Sequence, residues 1–434
     1  MYVNSGQYAQ VTLNNFTIWT NNSTGLQSDG GPLTLVGGLM TANSGNGINC
    51  GPLVATGMTV SQNGSSGISG GTMTLSGCVV SQNGSTGIGG GVMTLSGCTI
   101  SKNNGTGVSG NGGTLTSCVV VGNHADGVDA NAALQMTGCT ILSNTGWGLN
   151  SSPQGSPAVE VWNNLVQSNG SGGLYLGAGS VVGVASNTIS GNLGNGLNLS
   201  MSYNNYYSYY SGGVGPNGVT GNAIYNNGGV GVEVNASQPS ILTISGNDIY
   251  QNTTFELRND SGITVIATNE YWGQPTTSEV NAGQVNLSHI YDSHDNAGVG
   301  EVLVGGIRTA SMQNTLMFVQ QPQSVVATLG DTVTLSPVVS GSQPIFYQWY
   351  DNGILMPQAT NLTLTLSGVT LGNSGGYYLV IANANSVATS AVAFVAINIP
   401  PGAPTISQQP QSRSILAGAA VNFSVVAAGI GPFS

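Results

Sequence analysis

Apolar side chains occur in pairs two positions apart along the first two-thirds of the chain: Met73/Leu75, Met93/Leu95, Leu134/Met136, Val159/Val161, Val182/Val184 and Leu242/Ile244. A further apolar residue follows five positions later, as at Val80, Ile100, Ile141, Val166, Ile189 and Ile249. A spacing of two predicts short strands with one side turned inward. The pattern also repeats. The run Met73–Ile88 aligns with Met93–Val108 at an offset of 20, and Val11–Leu26 fits the same frame.

One reference column then reads Phe16, Gly38, Met58, Cys78, Cys98, Cys118, Cys139, Asn164, Asn187, Asn222 and Asn247. Five residues later every unit has asparagine, from Asn21 and Asn43 through Asn83 and Asn103 to Asn227 and Asn252. Nine residues after the reference, ten of the eleven units have glycine, from Gly25 to Gly231, and an apolar residue follows it. A unit of 20–25 residues cannot bury its inward side alone. Stacked units can, each strand pairing in parallel with the next at about 4.8 Å. The chain is therefore expected to be all-β, opening with a right-handed parallel β-helix whose eleven coils span on the order of 50 Å. The asparagine column is expected to form an internal ladder at one corner, the alternative being metal or sugar binding. The glycine column is expected to supply positive φ at another.

Over Val11–Gly273 the repeat resembles the pectin-lyase-like right-handed β-helix superfamily, in which stacked Asn ladders mark a corner. The segment ATNEYWG (Ala267–Gly273), followed by HIYDSHDNAGVGEVLV (His289–Val304), looks like the closing coil and tail of such domains. The resemblance implies the fold. It leaves activity open, because lyases, hydrolases, epimerases, adhesins and passive surface proteins share that fold.

Near Val319 the texture changes to short alternating strands with turns, which predicts a β-sandwich. This part resembles immunoglobulin-like domains. Trp349 matches the buried strand-C tryptophan and Tyr377 the corner tyrosine, while the two cysteine positions hold Pro337 and Leu379, so no inter-sheet disulfide is expected. A second copy starts after INIPPGAPTI and stops at Ser434. The expected organisation is a β-helix with its closing tail over 1–310, a sandwich over 316–398 and the start of another over 404–434. A partial sandwich, and a Met1 that runs almost directly into the repeat, suggest a piece of a longer protein.

Composition narrows the chemistry. Of 434 residues only 4% are charged, against about 25% in ordinary domains. Four Lys+Arg against 15 Asp+Glu give a formal charge of −11. So few cations exclude phosphate-backbone binding, and no nucleic-acid partner is expected. Apolar content of 40% excludes disorder, and no apolar run reaches the ~18 residues of a membrane span. No cofactor is expected, and the oligomeric state is left open. Cys78, Cys98, Cys118 and Cys139 fall in one column and are expected to be buried small hydrophobes, since stacked strands hold Cβ atoms farther apart than the ~3.8 Å of a disulfide.

The densest ionisable cluster is His124, Asp126 and Asp129 in NHADGVDAN. It reads either as a turn or as a weak calcium, sugar or acid–base site. Glu256, Arg258 and Asp260 form a second trio, read as an edge salt bridge, with pectate-lyase-like arginine chemistry as the alternative. Three coils lengthen, at Asn150–Ala158, Asn198–Val214 and Asn235–Ser240, all between the glycine corner and the next strand. The middle one carries Tyr203, Tyr206, Tyr207, Tyr209 and Tyr210. Glu160 and Trp162 alternate with inward Val159 and Val161 and so face outward, and Trp147 lies in the coil before. Aromatic rings with neutral hydrogen-bonding neighbours suit sugar rings. The alternative is a loop packed on itself. Hydrolysis normally needs two carboxyl groups flanking the bond, and the coils beside Glu160 offer only Gln135/Thr137 and Gly183/Ala185. The expectation is a secreted or cell-surface scaffold without catalysis that binds polysaccharide, a cell-surface glycan or a surface partner. The competing expectation is a polysaccharide lyase or glycoside hydrolase using His124, Asp126 and Asp129.

Overall fold

The computed structural model describes residues 2–3, 11–28, 31–153, 158–177, 181–200, 214–236, 241–311, 316–341, 345–382, 387–398, 405–411 and 420–428. The chain divides into two compact units, Met1–Asn314 and Thr315–Ser434. In the first, the coils from Met73 to Asn259 each carry three short strands, while in the three coils before them the first two strands run on as one of nine residues, as at Leu53–Ser61. One coil supplies Met73–Ser76, Val79–Ser81 and Ile88–Gly90; the next supplies Met93–Ser96, Thr99–Ser101 and Val108–Gly110. Like pairs with like in parallel: Met73 with Met93, Val80 with Ile100, Ile68 with Ile88. The strands thus form three files along the solenoid. Among the described residues the first and second files join in a sheet of 21 strands, and the third forms one of 13. The apolar residues of all three files close a continuous core, including Leu75, Val80, Ile88, Leu95 and Ile100, each 0% exposed. After the coils, Ile290–Tyr291 and Val302–Gly305 pair with the last strands of the two sheets.

The Asn21–Asn252 column is a buried ladder between the second and third files. The backbone N–H of Asn83 donates to Asn103 Oδ1 at 3.1 Å, and its Nδ2 donates to the same oxygen at 2.9 Å and to the Val60 carbonyl at 3.2 Å. Because a backbone N–H can only donate, it fixes which way the next amide faces. A second ladder, Asn164–Asn187–Asn222–Asn247, occupies the reference column between the first and second files, with the same double donation. Upstream the column holds the four cysteines. They are buried free thiols, as is Cys50. Cys98 Sγ lies 3.6 Å from the Leu75 carbonyl, and Cys139 N–H donates to Asn164 Oδ1 at 2.8 Å, where thiol gives way to amide. Burial pushes the Cys50 thiol up to about 12, which keeps it protonated and unreactive.

The residue before each ladder position, not the ladder asparagine, takes the left-handed conformation: Gln62, Gln82 and Lys102 ahead of one ladder, Asn163, Ser186 and Asn269 in the other column, all with φ of 53° to 58°. The glycine column differs from its expected role, since Gly67, Gly87 and Gly107 do not have positive φ. They are glycine for want of space. A Cβ on Gly107 would lie 2.6 Å from Val120 Cγ1, 2.6 Å from the Gly127 carbonyl oxygen and 2.8 Å from Asn123 Nδ2. Gly57 is the opposite case, with φ +63° and nothing within 4 Å of an added Cβ. Gly107→Ala is therefore expected to lower stability by about 1–3 kcal/mol, since neither the ladder nor the backbone can move aside. Gly57→Asn is expected to stay within about 0.5 kcal/mol, because Asn tolerates that conformation. Urea denaturation followed by circular dichroism separates the two outcomes.

The second unit is an immunoglobulin-like sandwich. Val325–Thr328, Ala393–Asn398, Gly375–Ala382, Phe346–Asp351 and Ile354–Leu355 lie side by side in one sheet, and Val333–Leu335 pairs with Leu364–Leu366 against it. Trp349 is fully buried opposite Leu379, and its indole N–H donates to the Asn361 carbonyl at 3.0 Å. Tyr377 is also fully buried, its hydroxyl reaching the Asn373 carbonyl at 3.0 Å. Packing on Trp349 and Tyr377 takes the place of the absent disulfide. Thr405–Gln408 and Val426–Ala428 form a separate antiparallel pair.

Candidate functional site

Outward positions of the first file form a row across the coils: Thr94 beside Thr114, then Gln135, Glu160 and Gly183. This row borders the connections that carry each third-file strand into the next coil. There a groove of about 560 Å³ opens on the surface, lined by Val92, Asn111, Thr114, Ala133, Gln135 and Glu160 among others. Ala158, where the first lengthened connection ends, also lines it. The lining is made of short side chains. Where the row passes from threonine to Gln135 and Glu160, two long polar side chains stand on the wall, and Gln135 Nε2 donates to Glu160 Oε2 at 2.7 Å. Each stands on a strand paired on both sides, so the main chain beneath them is held rigidly. Among the described lining residues Glu160 is the only titratable one.

Trp162 follows two residues after Glu160 on the same outward side, between Thr137 and Ala185. It is half-buried, and its indole Nε1 has no hydrogen-bond partner among the described residues. Trp147 belongs elsewhere. It lies on the third file, with its ring centroid 5.5 Å from that of Tyr175 and its ring over Gly172, where a Cβ would sit 2.2 Å from Trp147 Cζ3. The structure thus brings Glu160 and Trp162 together and sets Trp147 on a different sheet, because Trp147 opens the third-file strand Trp147–Ser151. Tyr203, Tyr206, Tyr207, Tyr209 and Tyr210 lie outside the described residues.

The His124 cluster does not assemble into an acid–base pair. His124 is exposed, and no hydrogen bond or ion pair joins it to Asp126 or Asp129 among the described residues. Asp126 is engaged by the next coil: Oδ1 accepts the Trp147 backbone N–H at 2.7 Å and Oδ2 accepts Asn150 Nδ2 at 3.0 Å. Asp129 lies between Ser109 and Asn150 on the third file, and burial, with the nearby Asp126 charge, holds its carboxyl above the usual range. The arrangement is corner hydrogen bonding. The Glu256 trio also divides. Arg258 Nε meets Asp260 Oδ2 at 2.5 Å, and the guanidinium lies 4.7 Å from the Tyr291 ring centroid. Glu256 is 2% exposed and belongs to the first ladder, whose last member Asn252 donates Nδ2 to its Oε2 at 2.7 Å.

Sequence reasoning missed the groove itself, and Asn111, Thr114 and Ala133 with it. These small residues carry no chemical signature, and only the closure of neighbouring coils makes them a wall. Among the described residues no group of three or more His, Cys, Asp or Glu is placed to hold a metal ion, and no helix is long and apolar enough to cross a membrane.

Residues 49–189 and 109–272, overlapping along the solenoid, match the family model described as the right handed beta helix region. Among solved structures, an I-band fragment of titin (I67–I69) is 24% identical over 22% of this chain and 36% of that one, with a TM-score of 0.19. The tandem Ig repeats of Dlar are 15% identical over 23% of this chain and 55% of that one, with a TM-score of 0.20. The chain thus spans roughly a third to a half of these two molecules, and likeness at that level says nothing of activity or partners.

Proposed function

From the premise that this chain belongs to the right-handed β-helix family, we propose that its solenoid is a rigid, non-catalytic scaffold that binds carbohydrate in the groove beside Glu160. We also propose a secreted or cell-surface location, with the immunoglobulin-like modules acting as spacers or adhesive units. The observation that carries the binding reading is the groove of about 560 Å³, which puts a Gln135–Glu160 pair on an immobile wall next to short polar and apolar side chains. That volume suits a small-molecule or sugar ligand, and amide and carboxylate groups bond sugar hydroxyls. The alternative, a polysaccharide lyase or glycoside hydrolase, has less support. Hydrolysis uses two carboxyl groups across the bond, and the described lining residues supply one.

Ala133 is exposed and lines the groove, so a larger side chain there fills the site from the solvent side. Ala133→Trp is expected to weaken glycan binding at least tenfold on a glycan array or in calorimetry, and to leave the melting temperature within a few degrees. Neither form is expected to release reducing ends or unsaturated products from the bound glycan. Equal binding by both forms removes the groove from the reading, and release of product by the wild type replaces it with the enzyme reading.

A further inference from the structure

Glu160 is the single titratable residue among the described residues that line the groove, and it is acidic. Cations are scarce throughout, the whole chain having four Lys+Arg. They are Lys102, Arg258, Arg308 and Arg413. Two of these are committed to carboxylates, Arg258 to Asp260 and Arg308 to Asp248. Lys102 lies at the bend before the asparagine ladder, on the far side of the second file from the groove, and Arg413 lies outside the described residues. Anionic polymers are held by arginine or lysine side chains or by bound cations. The described lining of the groove has neither basic group, and the net charge of −11 adds repulsion at a distance.

The polar groups present suit a different ligand. Gln135 Nε2 already donates to Glu160 Oε2, which leaves Glu160 Oε1 and Gln135 Oε1 as acceptors for hydroxyl donors. Thr114 adds a hydroxyl and Asn111 an amide, each able to donate and accept. Val92 and Ala133 offer apolar contact to C–H faces.

Resting on the carbohydrate reading above, we propose that the groove selects uncharged polysaccharide and rejects uronate-containing or sulfated chains, with Glu160 as the residue that sets the discrimination.

The test is affinity electrophoresis of the full chain through gels containing xylan, mannan or dextran on one side and polygalacturonate or heparin on the other. At 20 mM salt the wild type is expected to be retarded by at least one neutral polymer, with at least tenfold weaker retardation by polygalacturonate. Glu160→Gln is expected to narrow that ratio at least tenfold. Val92→Lys, which adds a cation at an exposed rim position, is expected to narrow it too and serves as a second variant should the first fold poorly. The difference must shrink as salt rises to 200 mM, because screening shortens the reach of the carboxylate. Retardation by polygalacturonate equal to that by neutral polymers overturns the proposal and leaves the carbohydrate reading intact. So does a neutral preference that neither variant nor salt alters. Absence of retardation by every polymer overturns both.

Discussion

Asn103→Leu is expected to destabilise the solenoid by roughly 3–6 kcal/mol, although the new side chain is close in size and apolar. The reason lies in the coils on either side. Asn103 Oδ1 is the acceptor for both the backbone N–H and the Nδ2 of Asn83, and Asn103 Nδ2 satisfies the Val80 carbonyl at 3.2 Å. Leucine orphans the Asn83 N–H, takes one of the two acceptors of Asn83 Nδ2, which keeps the Val60 carbonyl, and strips the Val80 carbonyl of its amide donor, at a position that is 0% exposed in the native chain. Each unsatisfied buried group costs about 1–3 kcal/mol, while replacing both partners at once costs far less. Lys102→Ala, one residue away and exposed, is expected to change stability by less than about 0.5 kcal/mol. Urea unfolding monitored by far-ultraviolet circular dichroism compares them. A loss below about 1 kcal/mol for Asn103→Leu would mean the ladder is incidental to the fold.

The second large effect is a pH dependence at the last coils. Both ladders run in one direction, each amide donating toward the C-terminal neighbour, so the final asparagine of each needs an acceptor where its column has no further asparagine. Two buried glutamates provide it. Asn252 donates to Glu256, and Asn247 donates its backbone N–H to Glu270 Oε2 and its Nδ2 to Glu270 Oε1. Burial pushes Glu256 up to about 7 and Glu270 up to about 8, against an ordinary 4.5. The surroundings only partly oppose this. The charge-bearing groups near Glu256 include His289, whose Nδ1 is 3.9 Å from Oε1. Glu270 has the Arg308 charge lowering its pKa and the Asp248 charge raising it.

In both cases the folded chain holds a proton that the unfolded chain has released above pH 4.5. Stability from these two groups is therefore complete below about pH 4.5 and is lost as pH rises through about 7 and 8. At ~1.4 kcal/mol per unit, the loss by pH 9 is on the order of a few kcal/mol per group. Glu256→Gln/Glu270→Gln keeps an acceptor oxygen at each ladder end and removes the titration. The wild type is expected to show a falling denaturation midpoint between pH 5 and pH 9, and the double variant a nearly flat one. Hydrogen exchange at Asn247 and Asn252 amides is expected to follow the same trend. Equal slopes for both proteins would assign the pH dependence to other groups.

The ends of the ladders illustrate how far the sequence alone could be read. Glu256 stands where the glycine column would continue, nine residues after Asn247, and Glu270 stands where the second asparagine column would continue. Both breaks were visible as letters. Their meaning was not, because the need for a terminal acceptor appears only once the direction of donation is known. The glycine column shows the same limit: its positions were plain, and its cause is crowding by the neighbouring amide rather than backbone angle. Among the site residues, the outward side of Glu160 and its neighbours Gln135 and Gly183 follow from period and register. The separation of Trp147 from Trp162 does not, since it depends on which sheet each strand joins.

What the sequence determined by itself was which residue lies over which. A solenoid repeats one coil, so each position meets its own counterpart one period away, and a column of letters becomes a column in space. What only the tertiary structure decided was what happens across a coil and at its ends: the direction of the amide donation, the carboxyl groups that complete it, and the groove where third-file strands pass to the next coil. Those contacts join residues with no common period, set by side-chain orientation and by connections of unequal length, and a periodic pattern carries no information about either.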